Sequence, residues 1–170
     1  MMNNNKHPME QEKMTNQTIV YENKPADFAP KVEVGATFVN VGTKILLLQL
    51  APGKSEAGAW GVPAGKCEVN ETPAKGASRE LFEETGIHIN TDLLQSFGQL
   101  YIRKPEIDYV YHLFGVVLDK LPTILLSNEH CAYRWCTRLE AETLVLMDGE
   151  KEALDLHCRW QLVSSPLELF

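Results

Sequence analysis

Six stretches of the chain carry the alternating or continuous apolar pattern that is typical of β-strands. Val32–Val41 and Lys44–Leu50 are rich in aliphatic and β-branched residues, and the turn between them contains Gly42. Two such runs joined by a short glycine-containing turn predict a β-hairpin. Further strands are predicted over residues 18–21, 94–102, 109–118 and 133–136.

A helix is predicted to begin after Thr72 and to end before Gly86, because both ends carry residues that helix termini favour. The Thr72 hydroxyl suits the N-cap, and Pro73 suits the first helical position, where its missing N–H costs nothing. Gly86 suits the left-handed conformation that ends many helices. A narrow apolar stripe for packing on a sheet consists of Ala74, Ala77 and Leu81.

Two more helical segments are predicted in the C-terminal part of the chain, a short one over residues 138–144 and a longer one over residues 149–163. One side of the longer helix is predicted to carry Ala153, Leu154, Cys158 and Leu162. Strands interspersed with two packed helices favour an α/β sandwich over a barrel or a helical bundle.

The first 30 residues differ in composition from the rest of the chain. They are polar and rich in Asn, Lys, Glu and Met, and we interpret residues 1–30 as a mobile tail that contains the short strand. Residues 31–170 are predicted to form one domain, which the length of 170 residues allows.

Charge and cysteine usage exclude some classes of function. The net charge of −7 argues against a protein that binds nucleic acid polymers, because such polymers need a basic surface. The four cysteines lack the spacing of a zinc site and are interpreted as reduced thiols. The N-terminus has no apolar signal region, and no apolar run is long enough to span a membrane. We therefore expect a soluble, cytoplasmic protein.

The strongest chemical signal is a group of glutamates on the first predicted helix. Glu80, Glu83 and Glu84 are spaced at i, i+3 and i+4, so their carboxylates share one helix face. Like charges at this spacing destabilise a bare helix, whereas a divalent cation neutralises them. Oxygen ligands suit Mg²⁺, with Mn²⁺ as the alternative. This face is therefore predicted to be a metal site with a catalytic role.

The residues from Gly65 to Ile87 resemble the signature motif of the Nudix, or MutT-like, hydrolase family. They read GKCEVNETPAKGASRELFEETGI and match the motif at every specified position: a glycine, five residues, a glutamate, seven residues, then Arg-Glu-hydrophobic-any-Glu-Glu-any-Gly-hydrophobic. The resemblance extends over about residues 32–165. It implies an α/β/α sandwich with a mixed β-sheet, and hydrolysis of a nucleoside diphosphate linked to another group.

The resemblance also implies roles for individual residues of this motif. Glu80 and Glu84 match the main metal-binding carboxylates, and Glu83 matches a third ligand or a base that activates water. Arg79 matches the arginine that orients these glutamates. The backbone carbonyl of Ala64, just before the motif, matches a further metal ligand. Early in the motif, Glu71 matches a glutamate that supports this arginine or a metal-bound water.

Candidate residues outside the motif are less specific. Glu129 is the candidate for a remote catalytic carboxylate, because it lies just before a predicted strand. Tyr133 and Trp60 are candidates for stacking on a nucleobase, although packing in the core is at least as common for such residues. Arg103, with Lys104 beside it, is a candidate for holding a terminal phosphate, although solvated cations are the commoner case.

The predicted function is Mg²⁺-dependent hydrolysis of a pyrophosphate bond in a small nucleotide substrate. Three substrate classes are left as alternatives: (d)NTPs, dinucleoside polyphosphates and nucleotide sugars. Pro63-Ala64-Gly65 resembles ADP-ribose pyrophosphatases, whereas residues 127–135 resemble hydrolases of dinucleoside tetraphosphates and of GDP-mannose. The alternative is a catalytically silent Nudix module that binds a nucleotide or a partner protein. A homodimer is also left open.

Overall fold

The computed structural model describes residues 17–164, which contain eight β-strands and three α-helices. The strands are β1 Ile19–Tyr21, β2 Val32–Val41, β3 Lys44–Leu50, β4 Trp60–Gly61, β5 Ala64–Lys66, β6 Gln95–Lys104, β7 Ile107–Val117 and β8 His130–Cys136. The helices are α1 Pro73–Thr85, α2 Arg138–Ala141 and α3 Glu150–Ser164, and a 3₁₀ turn covers Thr91–Leu93.

The eight strands form one mixed sheet in the order β1-β6-β7-β2-β3-β4, with β5 paired to β2 and β8 paired to β3. Strands β2 and β7 are parallel, and the other pairs are antiparallel. β2 and β3 pair only beside their turn, at Asn40–Ile45 and Val41–Lys44. Beyond the turn, β2 pairs with β5 and β3 pairs with β4 and β8. The sheet therefore divides between β2 and β3.

Alternate residues of the central strands enter two different cores. Phe38 and Leu47 belong to a buried cluster that includes Leu154 of α3. Their neighbours Val39 and Leu46 belong to a second cluster, which includes Leu81 of α1. Successive side chains of a strand point to opposite faces, so a helix covers each face of the sheet. The predicted fold class, an α/β/α sandwich with a mixed sheet, is confirmed.

The predicted ends of α1 are confirmed. The Thr72 side chain accepts a hydrogen bond from the N–H of Lys75 at 3.4 Å, and Pro73 opens the helix. Gly86 has a φ of 74° and donates its N–H to the carbonyl of Phe82 at 2.8 Å. Both of these capping hydrogen bonds are made between residues close in sequence, which is why the sequence located this helix correctly.

Helix α1 lies unusually close to the backbone of β2 because a glycine faces it. A β-carbon added at Gly35 would lie 2.6 Å from the carbonyl oxygen of Pro73 and 2.7 Å from the nitrogen of Ala77. The hydroxyl of Thr37 also reaches the helix and donates to the carbonyl of Ala77 at 3.4 Å. This close packing fixes the position of the acidic helix relative to the sheet.

The predicted apolar side of the last helix is only partly correct. Ala153 and Leu154 are buried, but Leu162 is 76% exposed. The buried side is completed instead by His157, which stacks on the ring of Phe38 at a centroid distance of 4.7 Å. The helix therefore packs a polar ring against the sheet, which a pattern based only on apolar residues does not detect.

Residues 1–16 of the predicted tail lie outside the described part of the chain. Within residues 17–30, β1 pairs with β6, and Phe28 is buried with its ring 5.4 Å from that of Tyr101. The domain boundary at residue 30 stays a prediction. Among residues 17–164, no helix is long and apolar enough to cross a membrane.

Candidate active site

Arg79 holds three glutamates of the motif region in fixed positions. Its guanidinium donates to both oxygens of Glu71, at 3.0 Å from Nε and 2.9 Å from Nη2. Nη1 donates to Glu80 at 2.7 Å and to Glu83 at 3.2 Å, and Nη2 also donates to the carbonyl of Lys66 at 2.9 Å. The planar guanidinium thus connects the helix to β5 and compensates much of the like-charge repulsion.

Glu84 is the most buried carboxyl group of this cluster, with only 6% of its surface exposed. Its Oε2 accepts the N–H of Ala64 at 3.0 Å, and its Oε1 lies 3.9 Å from Nε2 of His130. Burial, followed by the negative charge of Glu80, raises the pKa of Glu84 to about 9. A cation beside this carboxyl group would offset both causes and favour its ionised form.

The motif glycine makes room for the second carboxylate. A β-carbon added at Gly65 would overlap the carboxylate of Glu80, so the Glu80 side chain lies directly against the backbone of β5. Burial raises the pKa of Glu80 in opposition to the hydrogen bond from Arg79, which lowers it. Only a residue without a side chain permits this arrangement, which explains the glycine at this position of the motif.

The donor set on this face fits a hard divalent cation. Glu80 and Glu84 present carboxylate oxygens, and the backbone of Ala64 lies beside them, as its N–H bond to Glu84 shows. Carboxylate oxygens are donors of the kind that Mg²⁺ and Mn²⁺ prefer. Within residues 17–164, no three acidic, histidine or cysteine side chains stand together as a preformed metal site. The positive charge that now lies beside Glu80 and Glu83 is the guanidinium of Arg79, which forms an ion pair with each of them.

A cleft of about 290 Å³ opens beside these carboxylates. One set of lining residues belongs to the motif region and to the start of β8: Ala64, Gly65, Lys66, Glu84, Glu129 and His130. A second set comes from β6, β7, the segment that leads into α3 and the first residue of α3: Lys104, Ile107, Tyr109, Tyr111, Met147, Asp148 and Glu150. The cleft therefore joins the acidic helix to a second wall that the motif does not contain.

Glu129 lies at this cleft, whereas Glu83 lies on the outer surface of the helix. Glu129 is half-exposed, pairs with Lys54 at 3.3 Å, and lies near enough to Glu80 and Glu84 to raise the pKa of both. Glu83 is also half-exposed and contacts Arg79. Glu83 thus belongs to the group of glutamates that Arg79 holds, whereas Glu129 is the one of these two carboxylates that lines the cleft.

The three predicted substrate-binding residues are not among the residues that line the cleft. Trp60 packs against the core beneath the guanidinium of Arg134, which lies 5.4 Å from its ring. Tyr133 is half-exposed on β8. Arg103 donates to Asp108 on the neighbouring strand at 3.0 Å, which holds it outside the cleft. Adjacent strand residues point to opposite faces, so Lys104 lines the cleft in place of Arg103.

Glu150, Tyr111 and Asp148 line the second wall and were missed by the sequence analysis. Glu150 begins α3, where an acidic residue is ordinarily explained by its favourable interaction with a helix N-terminus. Tyr111 lies in a strand with a continuous apolar pattern and therefore resembles a core residue. No local signal distinguishes these residues, because the cleft is formed by segments that are distant in sequence.

Comparisons with known proteins agree with this geometry. The profile of the NUDIX domain matches residues 29–156. The CTP pyrophosphohydrolase of Escherichia coli strain K12 is 30% identical over 110 residues, covering 65% of this chain and 78% of that protein. Phosphatase NudJ of the same strain is 27% identical over 143 residues, covering 84% of this chain and 91% of that protein. The structure of the MutT protein from Methanosarcina mazei Go1 has a TM-score of 0.69 at 23% identity, covering 78% of this chain and 96% of that chain.

Proposed function

The chain belongs to the Nudix family and is a Nudix hydrolase, and from this premise we propose that it cleaves a pyrophosphate bond of nucleoside triphosphates with Mg²⁺ as cofactor. The observation that carries the proposal is the position of Glu80 and Glu84. Arg79 and the backbone at Gly65 hold the carboxylate of Glu80 beside a cleft, and the N–H of Ala64 holds that of Glu84. Mn²⁺ is the alternative cation, because the same oxygen donors suit it.

In the proposed mechanism, Glu80, Glu84 and the carbonyl of Ala64 would hold the cation. A bound cation of this kind neutralises phosphate charge and supplies an activated water. Arg79 acts as a positioning residue that holds Glu80, while the N–H of Ala64 holds Glu84. Glu129 accepts a proton from the attacking water, a role supported by its place in the lining of the cleft. Glu83 is the second candidate for this role.

Lys66 supports binding of the phosphate chain at the motif side of the cleft, because it is a cationic residue among those that line the cleft there. At the second wall, the positive charge of Lys104 is compensated by Glu56 at 2.9 Å and by Asp148 at 3.4 Å. Phosphate is therefore favoured at the motif side, and an uncharged group at the second wall. This distribution favours a triphosphate over a substrate with a second phosphate-linked nucleotide. The CTP pyrophosphohydrolase among the relatives supports the same choice.

A product analysis tests this proposal. The protein is incubated with nucleoside triphosphates, dinucleoside tetraphosphate, ADP-ribose and GDP-mannose, with Mg²⁺, with Mn²⁺ and with a chelator. We expect nucleoside monophosphate and pyrophosphate from the triphosphates, and no product with the chelator. Preferred cleavage of ADP-ribose or of the dinucleotide would overturn the proposed substrate class. Equal rates with the chelator would overturn the role of the cation.

The cellular setting is part of the proposal. We place the protein in the cytoplasm, acting on small nucleotides rather than on nucleic acid polymers. The net charge of −7 and the four free cysteine thiols support this setting.

A further inference from the structure

Glu56 is the residue through which the loop between β3 and β4 reaches the cleft. Among residues 52–58 it alone is not exposed, and it belongs to the lining of the cleft. Its φ is 62°, in the left-handed region that a residue with a side chain adopts only at some cost. Glycine would adopt this φ freely, as Gly53 and Gly58 do in the same loop. A side chain kept in a strained position beside a cleft indicates that the side chain has a function.

The carboxylate of Glu56 connects this loop to the second wall of the cleft. Its Oε2 lies 2.9 Å from the ammonium group of Lys104, and its Oε1 accepts the N–H of Asp148 at 2.7 Å. The side chain of Asp148 lies 3.4 Å from the same ammonium group. Only 23% of the Glu56 side chain and 17% of the Lys104 side chain are exposed. We call these three cleft-lining residues the Lys104 cluster.

The Lys104 cluster contains one ammonium group and two carboxylates, so its formal net charge is −1. Burial lowers the pKa of Lys104, but the hydrogen bond to Glu56 and its charge outweigh burial and raise the pKa above its usual value. Lys104 is therefore charged near pH 7, and it is the only cation among the residues that line this wall. An anion that enters here meets a net negative charge, and such repulsion acts over several ångströms without direct contact.

We propose that Glu56 is a specificity-determining residue, which keeps the Lys104 cluster negative and thereby excludes nucleotides with a further phosphate at the end that enters the second wall. The triphosphate is placed at the motif side of the cleft, so the sugar end of the nucleotide faces the Lys104 cluster. A phosphate on the sugar 3′-oxygen adds about two negative charges at that end. Repulsion of an unwanted ligand is a common source of specificity. This inference rests on the proposed function, because it assigns which nucleotides the same cleft rejects.

The test compares the best triphosphate of the panel with the same nucleotide carrying an additional 3′-phosphate, at fixed free Mg²⁺. The measured quantity is the ratio of kcat/KM for the 3′-phosphorylated nucleotide to kcat/KM for the unmodified one. Lys104→Met makes the cluster more negative than in the wild type, whereas Glu56→Gln and Asp148→Asn each make it neutral. We expect the ratio to rise by about tenfold at each of these two steps, mainly through KM, and raised salt to reduce the differences.

Two comparisons separate the effect of charge from an effect on structure. Glu56→Gln keeps an acceptor for the N–H of Asp148, and Asp148→Asn changes no residue of the loop. Both variants leave the same net charge, so both should give the same ratio. Glu22→Gln is the matched control, because Glu22 pairs with Arg159 at 2.6 Å and does not line the cleft. Its ratio should equal that of the wild type.

Three results would overturn the inference: equal use of both nucleotides by the wild type, an unchanged ratio in Glu56→Gln, or opposite changes in Glu56→Gln and Asp148→Asn. If Lys104→Met does not fold, the comparison of the wild type with the two neutral variants decides the question.

Binding of AMP and of adenosine 3′,5′-bisphosphate, measured by NMR titration in the same variants, separates this inference from the proposed function. If no triphosphate is hydrolysed but the affinity for the bisphosphate relative to AMP follows the charge of the Lys104 cluster, only the proposed function fails. If triphosphates are hydrolysed and neither ratio follows that charge, only the role of Glu56 fails.

Discussion

Arg79 compensates the repulsion between the glutamates of its own helix. Glu80, Glu83 and Glu84 would repel one another on a bare helix, and Arg79 from the same helix binds two of them and also Glu71. Glu84 receives no such contact and depends on the N–H of Ala64. The residual electrostatic cost therefore falls on Glu84, and a cation bound there would relieve it.

Arg79→Lys is expected to reduce kcat by about 10- to 100-fold, because lysine cannot bind Glu71 through two parallel bonds while also reaching Glu80. The reduction is measured by steady-state kinetics over a Mg²⁺ titration. The titration should also show that the variant binds the cation more weakly and needs a higher Mg²⁺ concentration for half-maximal rate. Arg138→Lys is the matched control, since Arg138 pairs with Glu142 at 2.9 Å and does not line the cleft. Equal losses in both variants would contradict the positioning role of Arg79.

His157 is expected to make stability depend on pH. Burial, with the charge of Arg138 as the second cause, lowers the pKa of His157 from 6.5 to about 4. Between these values the unfolded chain binds a proton that the folded chain does not bind. The stability is therefore fully present above about pH 6.5 and is lost as the pH falls towards 4, by up to about 3 kcal/mol.

Denaturant unfolding of the wild type and of His157→Gln between pH 4 and 7 measures this effect. The buried carboxyl groups contribute an opposite slope, but they are present in both proteins and cancel in the difference. We expect the free energy of unfolding of the wild type to fall more steeply with acid than that of the variant. Parallel curves would contradict the assignment.

At the level of elements, the sequence predicted α1 well and α3 only in part. The ends of α1 depend on Thr72 and Gly86, whose hydrogen bonds are local, so the sequence contains the whole signal. The buried side of α3 depends on contacts of His157 with Phe38 and with Asn40, which lies 2.8 Å away. These partners lie in β2, so only the folded chain brings them together.

Gly35→Ala is expected to destabilise the domain by about 1–3 kcal/mol and to lower activity. The new methyl group would press on the backbone of α1 at Pro73 and Ala77, which cannot rotate away as a side chain can. The free energy of unfolding and kcat are measured together. Gly42→Ala is the control: it has a φ of 56° but no atom within 4 Å of the added carbon, so it strains a turn without displacing α1.

If Gly35→Ala costs no more stability than Gly42→Ala and leaves kcat unchanged, the close contact between β2 and α1 does not position the acidic helix. A loss of kcat in Gly35→Ala alone would agree with the geometry described above.

At the level of the whole molecule, the division of the sheet between β2 and β3 places two unlike walls around one cleft. The motif wall was predictable, because Arg79, Glu80 and Glu84 lie within one helix whose spacing brings them together. The other wall combines Lys104, Tyr111 and Glu150, which are far apart in sequence and meet only through the sheet and α3. For this reason the sequence indicated the motif wall but not the composition of the other wall.

If the carboxyl groups beside the cleft bind the cation that hydrolysis requires, removing the charge of one of them in Glu84→Gln should lower kcat sharply. The best triphosphate of the panel is used at saturating Mg²⁺, and Glu142→Gln, at a residue that is not among those lining the cleft, is the control. We predict a kcat at least about 100-fold below the wild type for Glu84→Gln, with an unchanged fold and an unaffected control. Wild-type turnover in the Glu84→Gln variant would show that Glu84 does not bind a cation that hydrolysis requires.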